Sequence, residues 1–242
     1  MLGAVRHKGM IPWDDDIDVA MPREDYERFK EVAPKCLALH HKFVYNGIDK
    51  GYHYFFGKIY HLNTTLIEYA DPFYVGGVFV DIFPLDGLPA NKFLRDLHYW
   101  YFDQWRNLAG LAALNTIPNN SVKNVVKNIF KKALTLSLCL NMCDRIASIF
   151  PFGSSALVVN YGGAWRKKEI TRYENFAEGV NCEFEGRVLR IPVGYENILK
   201  EVYGDYMKLP PKEKQVSNHS HYYINLERRL TKDEIAEMSS KS

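Results

Sequence analysis

The segment Pro12-Trp13-Asp14-Asp15-Asp16-Ile17-Asp18-Val19-Ala20-Met21 constrains this chain more than any other. Four carboxylates fall within five positions, and like charges that close repel unless cations neutralise them or water screens them. A solvated acidic turn sits in polar surroundings. This one is bounded by Pro12 and Trp13 and interrupted by Ile17, Val19 and Met21. The run from Ile17 to Met21 reads as a short strand. Alternate strand residues share a face, so Asp16 and Asp18 point one way and Ile17 and Val19 the other. Two carboxylates aimed together from a half-buried strand suit a hard cation, because Mg²⁺ and Mn²⁺ take oxygen ligands.

Asp81 offers a third carboxylate, inside the apolar run Val78-Phe79-Val80-Asp81-Ile82-Phe83, where a charge is costly unless paired or metal-bound. If that run neighbours the first strand, Asp16, Asp18 and Asp81 together hold one or two divalent ions against a substrate's phosphates. The alternative is a screened acidic loop, with Asp81 paired to an Arg or Lys. Arg6, His7 and Lys8 lie between Gly3 and Gly9, which permit tight turns. This basic run suits a bound diphosphate, although pairing with the neighbouring aspartates explains it too. The segment GAVRHKG lacks the ending of a Walker A loop, and no G-x-G-x-x-G dinucleotide signature is present.

The rest of the chain alternates in character. Pro22 with Glu24 and Asp25 starts a helix over PREDYERFKEVAPKCLA. YFFGKIYHLNTTLIEYA reads as one or two strands, and the Val/Phe/Ile strand after Asp71-Pro72 is expected to end at Pro84. Two helical stretches follow, 91–115 and 121–150, separated by a Pro118-Asn119-Asn120 turn. The second has a basic start and an apolar middle, which fits a membrane surface or a packed core helix equally. Strand and turn sequence then leads to a short helix near Tyr195–Tyr203. The tail after Glu227 is charged, and its end is expected to fray. This divides the chain into 1–90 as a catalytic core, 91–150 as a helical region and 151–242 as a C-terminal α/β region packed on the core, all in one compact unit.

With 242 residues, 47% apolar and 25% charged, the chain can bury a sizeable core. Lys and Arg number 31 against 29 Asp and Glu, and this balance argues against a nucleic-acid-coating protein. Cys36, Cys139, Cys143 and Cys182 form no metal or disulfide framework, so reduced thiols are expected. No signal peptide or membrane-spanning run is legible. The expected location is the cytoplasm, at the inner face of the cell membrane if membrane contact occurs.

The run LGAVRHKGMIPWDDDIDVAMPREDYERF resembles the signature of the LicD family, the LicD/fukutin-related phosphotransferases. The resemblance continues through FFGKIYHLNTTLIE and VFVDIFPLDGLP to YENILKEVYGDYMKLPPKEKQ, almost the whole chain. It implies an α/β (α+β) nucleotidyltransferase-like fold: a small mixed sheet with flanking helices and a helical middle insertion. Asp16 and Asp18 match the family's paired metal carboxylates and Asp81 matches the third, with Mg²⁺ or Mn²⁺ as cofactor. The implied reaction moves phosphocholine from CDP-choline to a sugar hydroxyl of teichoic acid or lipopolysaccharide and releases CMP. The implied partners are a CDP-linked donor and a glycan or lipid-linked glycan acceptor, with no nucleic acid. Family members usually carry a G-T-L-L-G stretch after a leading helix. This chain starts inside that stretch, so the resemblance implies weaker nucleotide binding for a form lacking it.

On this reading Arg6 and Lys8, with Lys58 as a third, contact the donor phosphates, and Asp81 accepts the acceptor proton. Trp13 stacks on a base or closes over choline, with core packing as the alternative. Asp14, Asp15 and Asp86 support the metal carboxylates, and a turn-forming role is the alternative for Asp86. Tyr203 and Asp205, in Tyr203-Gly204-Asp205-Tyr206, shape the acceptor side. His219 and His221, two residues apart in a polar segment, make no zinc motif. Two rival functions remain: transfer of another substituted phosphate or a nucleotidyl group to a sugar, polyol or protein, and a non-catalytic scaffold or binding protein.

Overall fold

The computed structural model of this chain describes residues 1–114, 124, 134–217 and 219–239. The first elements are α1 (Leu2–His7), β1 (Asp18–Pro22), α2 (Arg23–Cys36), β2 (His41–Val44), β3 (Gly57–His61) and β4 (Thr65–Ile67). Next come β5 (Phe79–Leu88), α3 (Lys92–Ala113), α4 (Leu136–Ala147), β6 (Leu157–Asn160), β7 (Ile170–Arg172), β8 (Gly179–Phe184) and β9 (Arg187–Pro192). The described chain closes with α5 (Tyr195–Tyr203), β10 (Tyr223–Asn225) and α6 (Lys232–Ser239). Short 3₁₀ turns occupy Arg166–Glu169 and Tyr173–Phe176. The class is mixed α/β, with a small antiparallel sheet and flanking helices.

Two compact units divide the chain. The first comprises Met1–Tyr26, Phe83–Arg95 and Ala147–His219, and the second Glu27–Ile82, Asp96–Ile146 and Ser220–Ser242. In the first, β6 runs antiparallel to the end of β5, with Leu85 opposite Asn160, and β7 pairs β6 on its other side. Val158, Val159, Leu88 and Tyr161 are buried there, as are Leu199 and Val202 of α5. A separate hairpin joins β8 and β9. In the second unit β2 pairs β3, and β3 pairs the start of β5 with Lys58 opposite Asp81. Val44, Tyr52, Tyr60 and Tyr74 form one core cluster of this unit.

Local chemistry explains most boundaries. Pro22 ends β1 and lies one residue before α2, whose first turn carries Glu24 and Asp25 against the positive end of the helix dipole. The strand expected to stop at Pro84 continues to Leu88. Pro84 lacks an N–H, but neither the β3 register (Phe79 to Ile82) nor the β6 register (Leu85 to Leu88) includes it. Ile17 and Val19, expected to face inward, are 39% and 41% exposed, so β1 is not half-buried by its apolar side chains.

The charged tail carries two anchoring residues. Leu230 and Ile235 pack with Ile67 in a second core cluster, and Leu230 N–H donates to Thr65 Oγ1 at 2.7 Å. Two apolar residues spaced among charges anchor the segment that charge alone would leave in water. The expected helix 121–150 is described from Leu136 to Ala147, with Cys139 and Cys143 buried. Its basic start and the Pro118-Asn119-Asn120 turn lie outside the described residues. Among the described residues no helix is long and apolar enough to cross a membrane.

Candidate functional site

The approach to β1 is set by two glycines. Lys8 closes α1 in the left-handed region at φ 55°, and Gly9 N–H donates back to Gly3 O at 3.3 Å. A Cβ on Gly3 would lie 2.6 Å from the Gly9 carbonyl oxygen, so only glycine permits this closure. Met10 N–H then donates to Glu185 Oε1 at 2.8 Å, and Asp14 N–H to Ile11 O at 2.9 Å. The aspartates therefore leave a fixed turn.

The carboxyls of Asp14 and Asp16 are both held above the usual range. For Asp14 the main cause is burial, followed by the charge of Asp16. For Asp16 it is burial, followed by the charge of Asp18. His219 faces this cluster from the other end of the unit's sequence. Its Nδ1 lies 2.7 Å from Asp15 Oδ1 and its Nε2 3.6 Å from Asp16 Oδ2. The hydrogen bond to Asp15 raises the imidazole pKa, which favours the charged imidazolium where the carboxylates crowd. Its sequence neighbourhood gave no sign of this, because the contact spans 204 positions.

Asp18 is electrostatically linked to Glu169 and Tyr203, two residues from separate stretches of the same unit. Burial pushes the Glu169 carboxyl up to about 7, against hydrogen bonds from Trp165 and Asn160 that favour its charged form. Trp165 N–H donates to Glu169 Oε1 at 2.9 Å. The Glu169 carboxylate occupies the space that a side chain at position 163 would fill, which Gly163 leaves open. Burial also raises the Tyr203 phenol, whose ring meets Trp165 edge-on at 5.3 Å. Sequence reasoning missed Glu169 and Trp165. A carboxylate in RKKE reads as a solvated one.

The expected cations are placed unequally. Arg6 Nη1 donates to Tyr206 O at 2.8 Å, which ties α1 to the Tyr203–Tyr206 segment. Lys8 is largely exposed and lies 3.6 Å from Glu183. Trp13 is half-buried, edge-on to His7 at 5.8 Å. Asp205 is exposed in a turn where Lys208 N–H donates to its carbonyl at 3.1 Å. Asp86 is fully buried and receives Arg23 Nε and Nη2 at 2.8 and 2.7 Å. It is a strand residue in a forked ion pair, not part of a turn.

Asp81 and Lys58 belong to the second unit. Lys58 Nζ stands 2.8 Å from Asp81 Oδ1 and 3.3 Å from Glu68 Oε1, and its side chain is 2% exposed. The ammonium also lies 3.5 Å from the Phe79 ring centre and 4.5 Å from that of Tyr54. Two carboxylates and two aromatic faces offset the desolvation of this buried charge.

A divalent cation fits the donor chemistry of the turn. Asp14, Asp16 and Asp18 are hard oxygen donors, and burial, with the charge of a neighbouring carboxylate second, disfavours the ionised forms of Asp14 and Asp16. Among the described residues no group of three or more His, Cys, Asp or Glu side chains is placed to hold a metal ion.

The fold defines a mixed α/β protein with a small antiparallel sheet and flanking helices. The profile described as LicD/FKTN/FKRP, nucleotidyltransferase domain, matches residues 1–107. The lipopolysaccharide cholinephosphotransferase LicD of Haemophilus influenzae is 30% identical over 227 residues, covering 90% of this chain and 83% of that protein. The chain belongs to the LicD family. An uncharacterised protein of Rickettsia typhi is 42% identical over 48 residues, and one of Rickettsia prowazekii 46% over 35. These two alignments cover 16% and 13% of the rickettsial proteins. No solved structure matches the chain.

Proposed function

We propose that this LicD-family protein is a transferase that moves phosphocholine from CDP-choline to a sugar hydroxyl of a cell-surface glycan, releasing CMP. The observation that carries this reading is the crowded carboxylate turn before β1, in a chain that aligns nearly end to end with a cholinephosphotransferase. Asp16 and Asp18, with Asp14 beside them, would hold Mg²⁺ or Mn²⁺. The bound cation would neutralise charge on the donor diphosphate and on departing CMP. Arg6, anchored on the Tyr206 carbonyl, and the exposed Lys8 are the proposed phosphate contacts. Glu169 is a candidate to hold the acceptor proton, because its carboxyl titrates near neutrality beside Asp18. Asp81 is tested separately as Asp81→Asn, alongside Lys58→Met, since its salt bridge makes a role through Lys58 a distinct outcome.

The proposed compartment is the cytoplasm, at the inner membrane face. The four free cysteines fit its reducing conditions.

A second reading is favoured by the family description itself, a nucleotidyltransferase domain. In that reaction the nucleotide remains on the acceptor and pyrophosphate leaves. Calorimetric titration with CDP-choline, CDP-ethanolamine, CDP-ribitol, CTP and CMP, with and without Mg²⁺, separates the two. Metal-dependent preference for CDP-choline, lost in Asp16→Asn, supports phosphocholine transfer, as does CMP released with a new phosphodiester. Pyrophosphate released from CTP, or wild-type turnover in Asp16→Asn, would overturn it.

A further inference from the structure

A recess of the first unit carries two guanidinium groups that the carboxylate turn does not use. It is an open groove of about 530 Å³. Ala90 and Arg95 contribute from the start of α3, and Ala156 and Leu157 from the start of β6. Arg172, Tyr173 and Glu174 line it where β7 passes into a 3₁₀ turn.

Each polar group stands on fixed backbone. Arg172 is directly opposite Leu157 in the β6–β7 ladder, and Tyr173 N–H donates to Ala156 O at 3.0 Å. The Tyr173 ring is braced edge-on by Phe152 at 5.2 Å. Gly153, at φ +78°, leaves room for it, since a Cβ there would lie 3.0 Å from the ring. The ring nevertheless stays 38% exposed. Arg95 N–H donates to Asn91 O at 2.9 Å, and the Asn91 side chain caps the same helix through Leu94 N–H at 3.1 Å. Arg95 makes no ion pair among the described residues. Arg172 Nη1 pairs with Glu174 at 3.3 Å, but both side chains are about 70% exposed, so the pair holds weakly and yields readily to a better anion.

Two guanidinium forks around one recess match paired oxygens of a phosphate or carboxylate. A braced, exposed aromatic ring offers an apolar face at little entropic cost, with a hydroxyl at its edge. Glu174 adds an acceptor for ligand hydroxyl groups. An inorganic anion would use the arginines alone, and a neutral sugar would leave them unanswered. We propose that this groove binds an anionic sugar, one ring bearing a phosphate or carboxylate, through Arg95, Arg172 and Tyr173. Only the further statement that this sugar belongs to the acceptor glycan rests on the proposed transferase reaction.

The full chain is titrated calorimetrically with glucose 6-phosphate, glucuronate, glucose and inorganic phosphate. At least one anionic sugar is expected to bind tenfold or more tightly than both glucose and inorganic phosphate. Arg95→Ala and Arg172→Ala should each weaken it at least fivefold, and Arg172→Lys should recover part of that loss. Tyr173→Ala should erase the advantage over inorganic phosphate. Circular dichroism melts matching wild type exclude misfolding as the cause. Equal binding of inorganic phosphate makes the groove a bare anion site and overturns the proposal, as does binding that none of the substitutions changes. CDP-choline affinity is measured on the same variants and should not move. Anionic-sugar binding without CDP-choline binding leaves the groove standing and sinks the transferase reading. The converse sinks the groove alone.

Discussion

Asp86 accepts both arms of the Arg23 fork, and the two side chains are 1% and 8% exposed. Removing one partner strands a buried charge, so Asp86→Ala should cost about 3–5 kcal/mol in urea denaturation. The double change Arg23→Met with Asp86→Leu should recover most of it. The carboxylate turn behaves oppositely. A carboxyl whose folded pKa is raised holds its proton more tightly when folded. It therefore favours folding below the ordinary carboxylate range, and the benefit is lost as pH rises through the folded pKa. Asp14 and Asp16 are shifted this way. Asp14→Asn should thus raise Tm at pH 7, with a difference from wild type that narrows toward pH 4, while turnover falls. Glu169, pushed up to about 7, has the same sign. Glu169→Gln should flatten the part of the wild-type stability loss that falls between pH 4.5 and 7, read from Tm against pH. The clustering of Asp14 to Asp18 was legible because it is local in sequence. Glu169 and His219 were not, because their environments arise from contacts with distant segments.

At the scale of elements, helices and strands with strong local signals formed where the sequence indicated, including α2 behind Pro22 and α3 across its Pro-free stretch. What local signals leave out shares a cause. The missing N–H of Pro84 is a local fact that suggests a strand end, whereas its tolerance depends on which neighbours pair with the strand before and after it. The charge of the tail gives no sign of the anchorage of Leu230 and Ile235, whose partner Ile67 is far away in sequence. Leu230 is 1% exposed, so Leu230→Ala should cost about 2–5 kcal/mol by cavity formation. Proteolysis should then begin within α6. Cleavage there no faster than in wild type would mean that the tail is held by other contacts.

For the molecule as a whole, metal affinity and stability are linked. A cation that binds only the folded chain stabilises it in proportion to the logarithm of its concentration over Kd. Mg²⁺ should raise the Tm of wild type and leave Asp16→Asn unchanged in differential scanning fluorimetry, and EDTA should reverse the rise. The sequence by itself determined the α/β class and the acidic turn, because these reside in periodicity, turn chemistry and one dense run of like charges, and it showed the family through the likeness of its motifs to those of known members. Only the tertiary structure decided that His219 answers that run, that Glu169 titrates near neutrality, that Lys58 is occupied by Asp81 and Glu68, and that Asp86 is a buried strut. Burial and charge pairing are properties of surroundings. These surroundings are assembled from segments far apart in the chain, so local sequence holds no record of them.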